Sequence, residues 1–223
     1  NAIREIDPSI EVKAITAYVF TEPAKVEKNY QKREGLLFVG GFAHPPNKDG
    51  VLWFSREIFP RIRKQIPTMR FRIVGSHTDE EIEELSRTPG IEVLGFVSDE
   101  RLSELYQESR LVVVPLRYGA GVKGKVVEAL HEGSAVLTTS CGAEGIPDAE
   151  EVVRIEDRAE DFADAAVELY HNTPLLQRMS ELSEHYVAEH FSVEGAWKRI
   201  RRDFGIREDG SLCDLYENEE GES

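Results

Sequence analysis

The segment LVVVPLRYGAGVKGKVVEAL, residues 111–130, decides the fold. It opens with Leu111–Val114, which is apolar on both faces of a pleated strand, as is typical of a central strand in a parallel sheet. Pro115 ends that strand because proline cannot donate a ladder hydrogen bond. Three glycines within six residues then lead into helical spacing over Gly124–Glu132. The buried run, the glycine-rich turn and the helix predict one β-α unit of a parallel sheet.

The same alternation of short apolar runs and amphipathic stretches repeats on both sides of this segment. It predicts an α/β domain with a parallel sheet and flanking helices. The other predicted strands are Leu36–Gly41, Phe71–Val74, Val93–Leu94 within the run Ile91–Gly95, Val136–Thr138, and a last short one at Val152–Ile155. The other predicted helices are Val51–Ile66, one from about Asp79 and one from about Asp99 with these aspartates as N-caps, and three near residues 158–172, 174–189 and 192–204.

Composition excludes several classes of protein. The chain has 223 residues, 27 Lys and Arg against 42 Asp and Glu, and a formal net charge of −15. An acidic chain is a poor match for the nucleic-acid backbone, so no nucleic-acid partner is expected. The longest apolar runs are far too short to span a membrane. The two cysteines, Cys141 and Cys213, have no metal-ligand spacing and are compatible with a reducing cytoplasm, which is the predicted location.

The two ends of the chain differ from its middle. Residues 1–34 contain one strand-like run, Val12–Phe20, followed by a polar stretch that we interpret as a linker from, or a remnant of, a preceding domain. The first residue is Asn1 and not Met, which suggests a fragment, a processed chain or an ordered part of something longer. Residues 35–204 form the predicted domain, and the acidic tail at 205–223 is predicted to be flexible.

The glycine-rich turn has the features of an anion site. Gly119 and Gly121 allow close approach of a ligand to the backbone, and the following helix N-terminus has N–H groups without internal partners. Arg117, Lys123 and Lys125 add positive charge in a chain that is acidic elsewhere. The alternative is an ordinary strand-to-helix turn with solvated lysines.

Read with its surroundings, the turn resembles a known family. Residues 116–146 are similar to the donor-binding half of GT-B glycosyltransferases, and most similar to glycosyltransferase family 4, the group 1 transferases. The stretch FVGGFAHPPNKD at 38–49 resembles that family's first donor-domain strand and glycine loop, and VLGFVS at 93–98 resembles its base-side strand and loop. The resemblance covers about residues 35–205. It implies a Rossmann-like nucleotide-sugar-binding domain, the donor half of a GT-B architecture.

The resemblance implies roles for the residues of the turn and its helix. Glu128 corresponds to the carboxylate that accepts hydrogen bonds from the donor ribose hydroxyls, a role that suits an ionised carboxylate. The alternative for Glu128 is a surface glutamate. The diphosphate would be held by the backbone amides of the turn and by a set of four residues, Gly119, Gly121, Lys123 and Lys125.

The resemblance also implies contacts from three other loops. Phe96 and Val97 would lie beside the nucleotide base, although a core position for Phe96 is the alternative. Lys48, in a loop with Asn47 that is expected to face the interdomain cleft, is near the place of a phosphate-binding lysine. Glu144 is a possible rim contact to the donor, and a loop charge without a ligand is its alternative.

Two departures from the family pattern bear on mechanism. Many members have a first glutamate eight positions before the ribose-binding one, and this chain has Ala120 there. A complete GT-B enzyme also needs a second domain for the acceptor, which 223 residues do not supply. No catalytic residue is therefore assigned, and neither a metal nor a cofactor is expected beyond the nucleotide diphosphate sugar as substrate.

The resulting functional prediction is the donor-binding half of a glycosyltransferase. It would transfer a sugar from a nucleotide diphosphate donor, with retention, in polysaccharide or glycoconjugate synthesis. The acceptor would bind through a missing N-terminal domain. The alternatives are a non-catalytic nucleotide-sugar binding or interaction module and a GT-B-like epimerase. A dinucleotide oxidoreductase is disfavoured, because no Gly-x-Gly-x-x-Gly fingerprint follows the first strand.

Overall fold

The structure, a computed structural model, describes residues 18–22, 29–204 and 206–207. These residues divide into two compact units, one within Pro23–Val187 and one within Asn1–Glu22 and Ala188–Ser223. The boundaries predicted after residues 34 and 204 differ from this division. Residues 12–17 of the predicted first strand, and all but two residues of the predicted tail, lie outside the described residues.

Six parallel strands form one sheet in the first unit, in the order β3-β2-β1-β4-β5-β6. This order confirms the predicted α/β fold with a Rossmann-like sheet. Each of the six strands predicted between Leu36 and Ile155 is present, although the one predicted for Leu36–Gly41 ends at Val39. The strands are β1 (Leu36–Val39), β2 (Phe71–Val74), β3 (Ile91–Gly95), β4 (Leu111–Val114), β5 (Val136–Thr138) and β6 (Val153–Ile155).

Helices connect successive strands, and among the described residues three further α-helices come after the last strand in the chain. The α-helices are α1 (Pro45–Trp53), α2 (Phe59–Gln65), α3 (Glu80–Glu83), α4 (Asp99–Glu108), α5 (Gly124–His131), α6 (Ser140–Ala143), α7 (Ala159–His171), α8 (Thr173–His190) and α9 (Val193–Ile200). A π-helical turn, Phe54–Ile58, joins α1 to α2, and short 3-10 turns lie at Glu84–Arg87, Ala149–Glu151 and Arg201–Phe204.

Two helix starts differ from the prediction. The first helix begins at Pro45, six residues before Val51, so the loop predicted to contain Asn47 and Lys48 is the first turn of a helix. Proline suits this position because its missing N–H has no helical partner there. The fourth helix is capped by Ser98, whose hydroxyl accepts from the backbone N–H of Arg101, and not by the aspartate that follows it. Asp79 caps its helix as predicted.

The core lies against the sheet and its centre is β4, whose four residues are all buried. An aromatic cluster packs beside it, with the rings of Phe54 and Phe71 at 4.6 Å and those of Phe54 and Phe162 at 5.9 Å. Full burial of such a side chain contributes about 1.5–3 kcal/mol. Apolar burial therefore stabilises the sheet, and the loops at the carboxyl ends of its strands are attached to this packed core.

Residues 29–34, at the end of the segment interpreted as a linker or a domain remnant, pack against the rest of the first unit. Tyr30 is fully buried. Its hydroxyl donates to the carbonyl of Gly133 at 3.0 Å and accepts from the N–H of Ala135 at 2.9 Å. Arg33 is also buried and donates to Gln107 at 2.8 Å. Tyr30 thus fixes the segment ahead of β1 to the turn that precedes β5, and Arg33 fixes it to α4.

The second unit is small. Phe20 forms an isolated parallel bridge with Ser192, whose hydroxyl caps α9 by accepting from the N–H of Gly195 at 2.9 Å. The rings of Trp197 and Phe204 stack at 6.3 Å. In the described part of the chain, no helix is long and apolar enough to span a membrane.

The strand order creates a crevice at one edge of the sheet. From β1 the chain continues to β2 on one side, and from β4 it continues to β5 on the other. Right-handed crossovers then place the two connecting helices on opposite faces of the sheet, with both N-termini at the carboxyl ends of the strands. In sheets of this kind ligands bind in that crevice, which makes it the candidate functional site.

Candidate functional site

Two glycine-containing turns form the walls of the crevice. Gly40 and Gly41 follow β1 and lead to α1, and residues 115–123 follow β4 and lead to α5. The two walls touch closely: a side chain at Gly50 in α1 would place its Cβ 2.5 Å from the carbonyl oxygen of Pro115. Only glycine allows this approach, and it places the middle of α1 against the end of β4.

The β4 turn presents an open backbone to the crevice. Gly119 and Gly121 have φ values of +134° and +74°, a region that favours glycine. A Cβ built on Gly121 would meet no atom within 4 Å, so the space beside this residue is open. Helix α5 then starts at Gly124. The Val126 N–H donates to the Lys123 carbonyl at 2.9 Å, whereas no backbone acceptor among the described residues takes the N–H of Gly124 or Lys125, the first two positions of the helix. The turn therefore has the backbone geometry of an anion site.

Lys125 extends from this helix into the crevice. Its Nζ donates to Oδ1 of Asn47 at 2.8 Å and lies 5.9 Å from the ring centroid of Phe38. Its stem runs past Gly40, where a Cβ would lie 2.9 Å from the Lys125 Cε. Desolvation by these surroundings lowers the pKa of Lys125, against the opposing effect of Glu128. The lysine is thus held between the carboxyl ends of β1 and β4.

The other cations predicted near the site have carboxylate partners. Arg117 donates through Nε to Asp49 Oδ2 at 2.9 Å and makes a second, shorter contact between Nη2 and Oδ1. Lys123 is almost fully buried, and its Nζ donates to the carbonyl of Gly121 and lies 3.1 Å from Glu144 Oε2. These ion pairs connect the turn to α1 through Asp49 and to the end of α6 through Glu144.

Lys48 is also paired. Its Nζ lies 2.5 Å from Asp79 Oδ2 and 2.9 Å from Glu81 Oε2, and these bonds raise the pKa of Lys48. Among the described residues no carboxylate lies within ion-pair distance of the Lys125 Nζ, whose partner is an amide. Of the four cations, Lys125 is therefore the one without a paired negative charge.

Glu128 follows Lys125 by three residues on α5, so both side chains lie on one side of the helix. It is exposed to solvent, yet desolvation by neighbouring atoms raises the pKa of its carboxyl, while Lys125 lowers it. Tyr106 is buried nearby, and desolvation together with the charge of Glu128 raises the pKa of its phenol. An accessible carboxylate beside an unpaired ammonium can accept hydrogen bonds from hydroxyl groups of a ligand.

The remaining predicted residues lie in neighbouring loops. Phe96 follows β3 and is 79% exposed, so the alternative of a core position is wrong, and Val97 is half-buried beside it. Across the described part of the chain, no hydrogen bond or ring contact joins these two residues to the glycine-rich turn. Glu144 follows α6 and reaches the turn through its ion pair with Lys123.

Sequence reasoning missed the partners of the cations. Asp49 is 68 residues from Arg117, and Asp79 is 31 residues from Lys48, so no local spacing could reveal these pairs. Asn47 was predicted to face the cleft, but its bond to Lys125 spans 78 residues. Within the described residues, no group of three or more His, Cys, Asp and Glu side chains is placed to hold a metal ion.

Comparison with known proteins identifies relatives of the chain. Residues 33–172 match the model of a family described as "Glycosyl transferases group 1". A Klebsiella pneumoniae protein, "Uncharacterized 44.6 kDa protein in cps region", is 30% identical over 129 residues, which is 55% of this chain and 33% of the relative. The chain thus spans about a third of the length of this curated relative.

Solved structures show the same fold. S. aureus TarM, in complex with Fondaparinux, alpha-GlcNAc-glycerol and UDP, matches with a TM-score of 0.68 and 16% identity, over 90% of this chain and 41% of the TarM chain. The C-terminal domain of the group 1 family protein LpcC from Francisella tularensis matches with a TM-score of 0.57 and 17% identity. That match covers 78% of this chain and 97% of the LpcC domain.

Proposed function

Because the chain belongs to the group 1 glycosyl transferases, we propose that it is the donor-binding half of a glycosyltransferase. It binds a nucleoside diphosphate sugar, and the whole protein transfers the sugar to an acceptor saccharide or glycoconjugate. The donor is a substrate, and the proposal includes no metal or other cofactor.

One observation carries the proposal: an unpaired ammonium, an open helix N-terminus and an accessible carboxylate meet at the crevice. A nucleoside diphosphate offers complementary groups, which are two phosphates and two ribose hydroxyls. In the proposed complex the phosphates lie against the 119–125 turn and Lys125, and the ribose hydroxyls donate to Glu128. The base extends toward Phe96 and Val97. The TarM structure, a fold relative, contains UDP.

The same groups can assist bond cleavage. Transfer breaks the bond between the sugar C1 and the diphosphate oxygen, forms a bond from C1 to an acceptor oxygen, and releases the acceptor proton. Negative charge grows on the leaving diphosphate, and the backbone N–H groups and Lys125 are already oriented to stabilise it. We include transfer with retention in the proposal. Ala120 leaves no carboxylate in the turn, so the residue that acts on the sugar remains unassigned.

The acceptor is proposed to bind to a second domain outside this chain. TarM, with a chain more than twice as long, is seen with alpha-GlcNAc-glycerol and Fondaparinux. The Klebsiella relative belongs to a cps region. Polysaccharide or glycoconjugate synthesis is therefore the proposed setting, and the cytoplasm is the proposed location, where a free thiol such as Cys141 stays reduced.

Calorimetry with a panel of nucleosides, nucleoside diphosphates and nucleoside diphosphate sugars tests the binding step on this chain. One diphosphate should bind at least tenfold more tightly than its nucleoside, and Glu128→Gln should lose the preference for ribose over deoxyribose. Absence of binding by every diphosphate would refute the proposal.

A transfer assay tests the chemistry on a polypeptide that also contains the preceding domain. The proposal predicts a glycosylated product whose anomeric configuration, read by NMR, is that of the donor. Diphosphate binding without transfer by the two-domain protein would favour the non-catalytic module, and conversion of the donor sugar into its epimer would favour an epimerase.

A further inference from the structure

Asn47 joins the two walls of the crevice. It is the third residue of α1 and only 3% of its surface is exposed. Its Nδ2 donates to the carbonyl oxygen of Gly41 at 2.7 Å, and its Oδ1 accepts from Lys125 Nζ at 2.8 Å. One buried amide thus connects the turn after β1 to the lysine that comes from the helix after β4.

The orientation of this amide follows from its neighbours. The Gly41 carbonyl, which also accepts from the N–H of His44 at 3.3 Å, can only accept, and the Lys125 ammonium can only donate. The NH₂ group must therefore face the first and the oxygen must face the second. Rotation of the amide by 180° would oppose two donors on one side and two acceptors on the other. Both polar ends of Asn47 are therefore used within the protein, and the position of Nζ is defined by the fold.

Lys125 differs from the neighbouring cations because its partner, Asn47, is neutral. Asp49 pairs with Arg117, Glu144 with Lys123, and two carboxylates with Lys48. A carboxylate at position 47 would cancel the charge of Lys125 in the same way. An amide accepts the hydrogen bond but leaves the whole positive charge available to a ligand.

We propose that Asn47 is a positioning residue, which holds the Lys125 ammonium at the crevice without neutralising it, so that this charge is free for the donor diphosphate. The inference rests on the proposed function for the identity of the anion. It assigns Asn47 no direct contact with the substrate: the residue acts through Lys125 and through the Gly41 turn.

A double-mutant cycle on the whole chain tests this role. Asn47→Ala and Lys125→Met are made separately and together, and binding of UDP, GDP, ADP and their nucleosides is measured by calorimetry. Asn47→Ala should weaken the preferred diphosphate by about tenfold and leave its nucleoside within about twofold, the loss expected when a charged hydrogen-bond partner is misplaced. In the Lys125→Met background the same substitution should change affinity by less than about twofold, because coupled residues are not additive. Equal effects of Asn47→Ala in both backgrounds would overturn the proposal.

A charge variant sharpens the test. Asn47→Asp should weaken the diphosphate more than Asn47→Ala does, because it adds a neutralising carboxylate. Asn172→Asp is the matched control, since it makes the same change of charge at an exposed helix start, where the side chain accepts from the N–H of Leu175. The control should leave diphosphate affinity within about twofold. Asn47→Asp affinity equal to that of the control would contradict the proposal. Circular dichroism of each variant serves as the control for folding.

NMR of the Lys125 side chain separates this inference from the proposed function. If no diphosphate binds the wild type, the proposed function fails, and the 13Cε signal of Lys125 still reports on Asn47. The pKa of Lys125 should rise in Asn47→Asp, because a neighbouring carboxylate favours the charged form. The chemical shift of the Lys125 13Cε should move in Asn47→Ala. A Lys125 signal and titration that are the same in all three proteins would overturn the positioning role, whatever the ligand result.

Discussion

Lys125→Met and Lys123→Met should have different effects on diphosphate binding, although the two lysines are two residues apart. Lys125 has an amide partner, whereas Lys123 is paired with Glu144 and donates to the Gly121 carbonyl. A hydrogen bond to a charged group is worth about 1.5–3 kcal/mol, so Lys125→Met should weaken the diphosphate by roughly 10- to 150-fold. Lys123→Met should cost less, because that lysine's charge is already compensated.

The nucleoside serves as the internal control for this comparison. Calorimetry of a diphosphate and its nucleoside, on wild type and both variants, separates the phosphate contribution from loss of the base and ribose contacts. Lys125→Met should leave the nucleoside affinity unchanged and should reduce the salt dependence of diphosphate binding. Equal losses for the diphosphate and the nucleoside, or a larger loss in Lys123→Met than in Lys125→Met, would refute the reasoning.

The lowered pKa of Lys125 adds a pH dependence with a defined sign. Desolvation favours the neutral amine in the folded protein, so between this lowered pKa and the ordinary value of 10.5 the unfolded chain binds more protons. The contribution of Lys125 to the free energy of unfolding therefore rises with pH across that window, and Lys125→Met should lack it. Diphosphate affinity should fall over the same window, beginning below pH 10.5. Urea unfolding at stepped pH measures the first trend and calorimetry measures the second. The same pH dependence in Lys125→Met as in the wild type would contradict this assignment.

Three further predictions concern the carboxylate, the glycine turn and the base of the sheet. Glu128→Gln should weaken a ribonucleoside diphosphate by about 1–3 kcal/mol but a deoxyribose analogue very little; calorimetry measures both, and equal losses would exclude a ribose contact. Gly40→Ala places a methyl group 2.9 Å from both the Lys125 stem and the Asn47 amide, so it should reduce diphosphate affinity while circular dichroism still reports a folded protein; unchanged affinity would show that this pair of side chains is not restricted there. Tyr30→Phe leaves a buried carbonyl and N–H without their partner and should lower the free energy of unfolding by about 1–3 kcal/mol in urea titrations; a loss under about 0.5 kcal/mol would mean that water replaces the hydroxyl.

The fold could be predicted from sequence because its signals are local. Leu111–Val114 is apolar on both faces, which only a sheet covered on two sides can accommodate, and the strand is found as predicted. The start of the first helix could not be predicted in this way. Gly50 reads as a helix breaker in sequence, but in the structure it lets the helix approach the Pro115 carbonyl, so tertiary packing overrides the low helix propensity.

The candidate site could be predicted in position but not in its electrostatics. The glycine-rich turn, the lysines and Glu128 are consecutive in sequence, so their location at a helix N-terminus follows from spacing alone. Which lysine stays unpaired depends on Asn47 in α1 and on Glu144 after α6, and both are distant from the turn in sequence. The packing of residues 29–34 could not be predicted for the same reason, because the partners of Tyr30 lie more than a hundred residues away.

The most direct test of the central claim is a crystal structure of the chain with the nucleoside diphosphate that binds most tightly. The account predicts that the diphosphate lies at the carboxyl ends of β1 and β4, with a phosphate oxygen within hydrogen-bond distance of Lys125 Nζ and of the first N–H groups of α5. It also predicts ribose hydroxyls that donate to Glu128. A nucleotide bound elsewhere on the chain, or one in the crevice whose phosphates point away from Lys125, would contradict it.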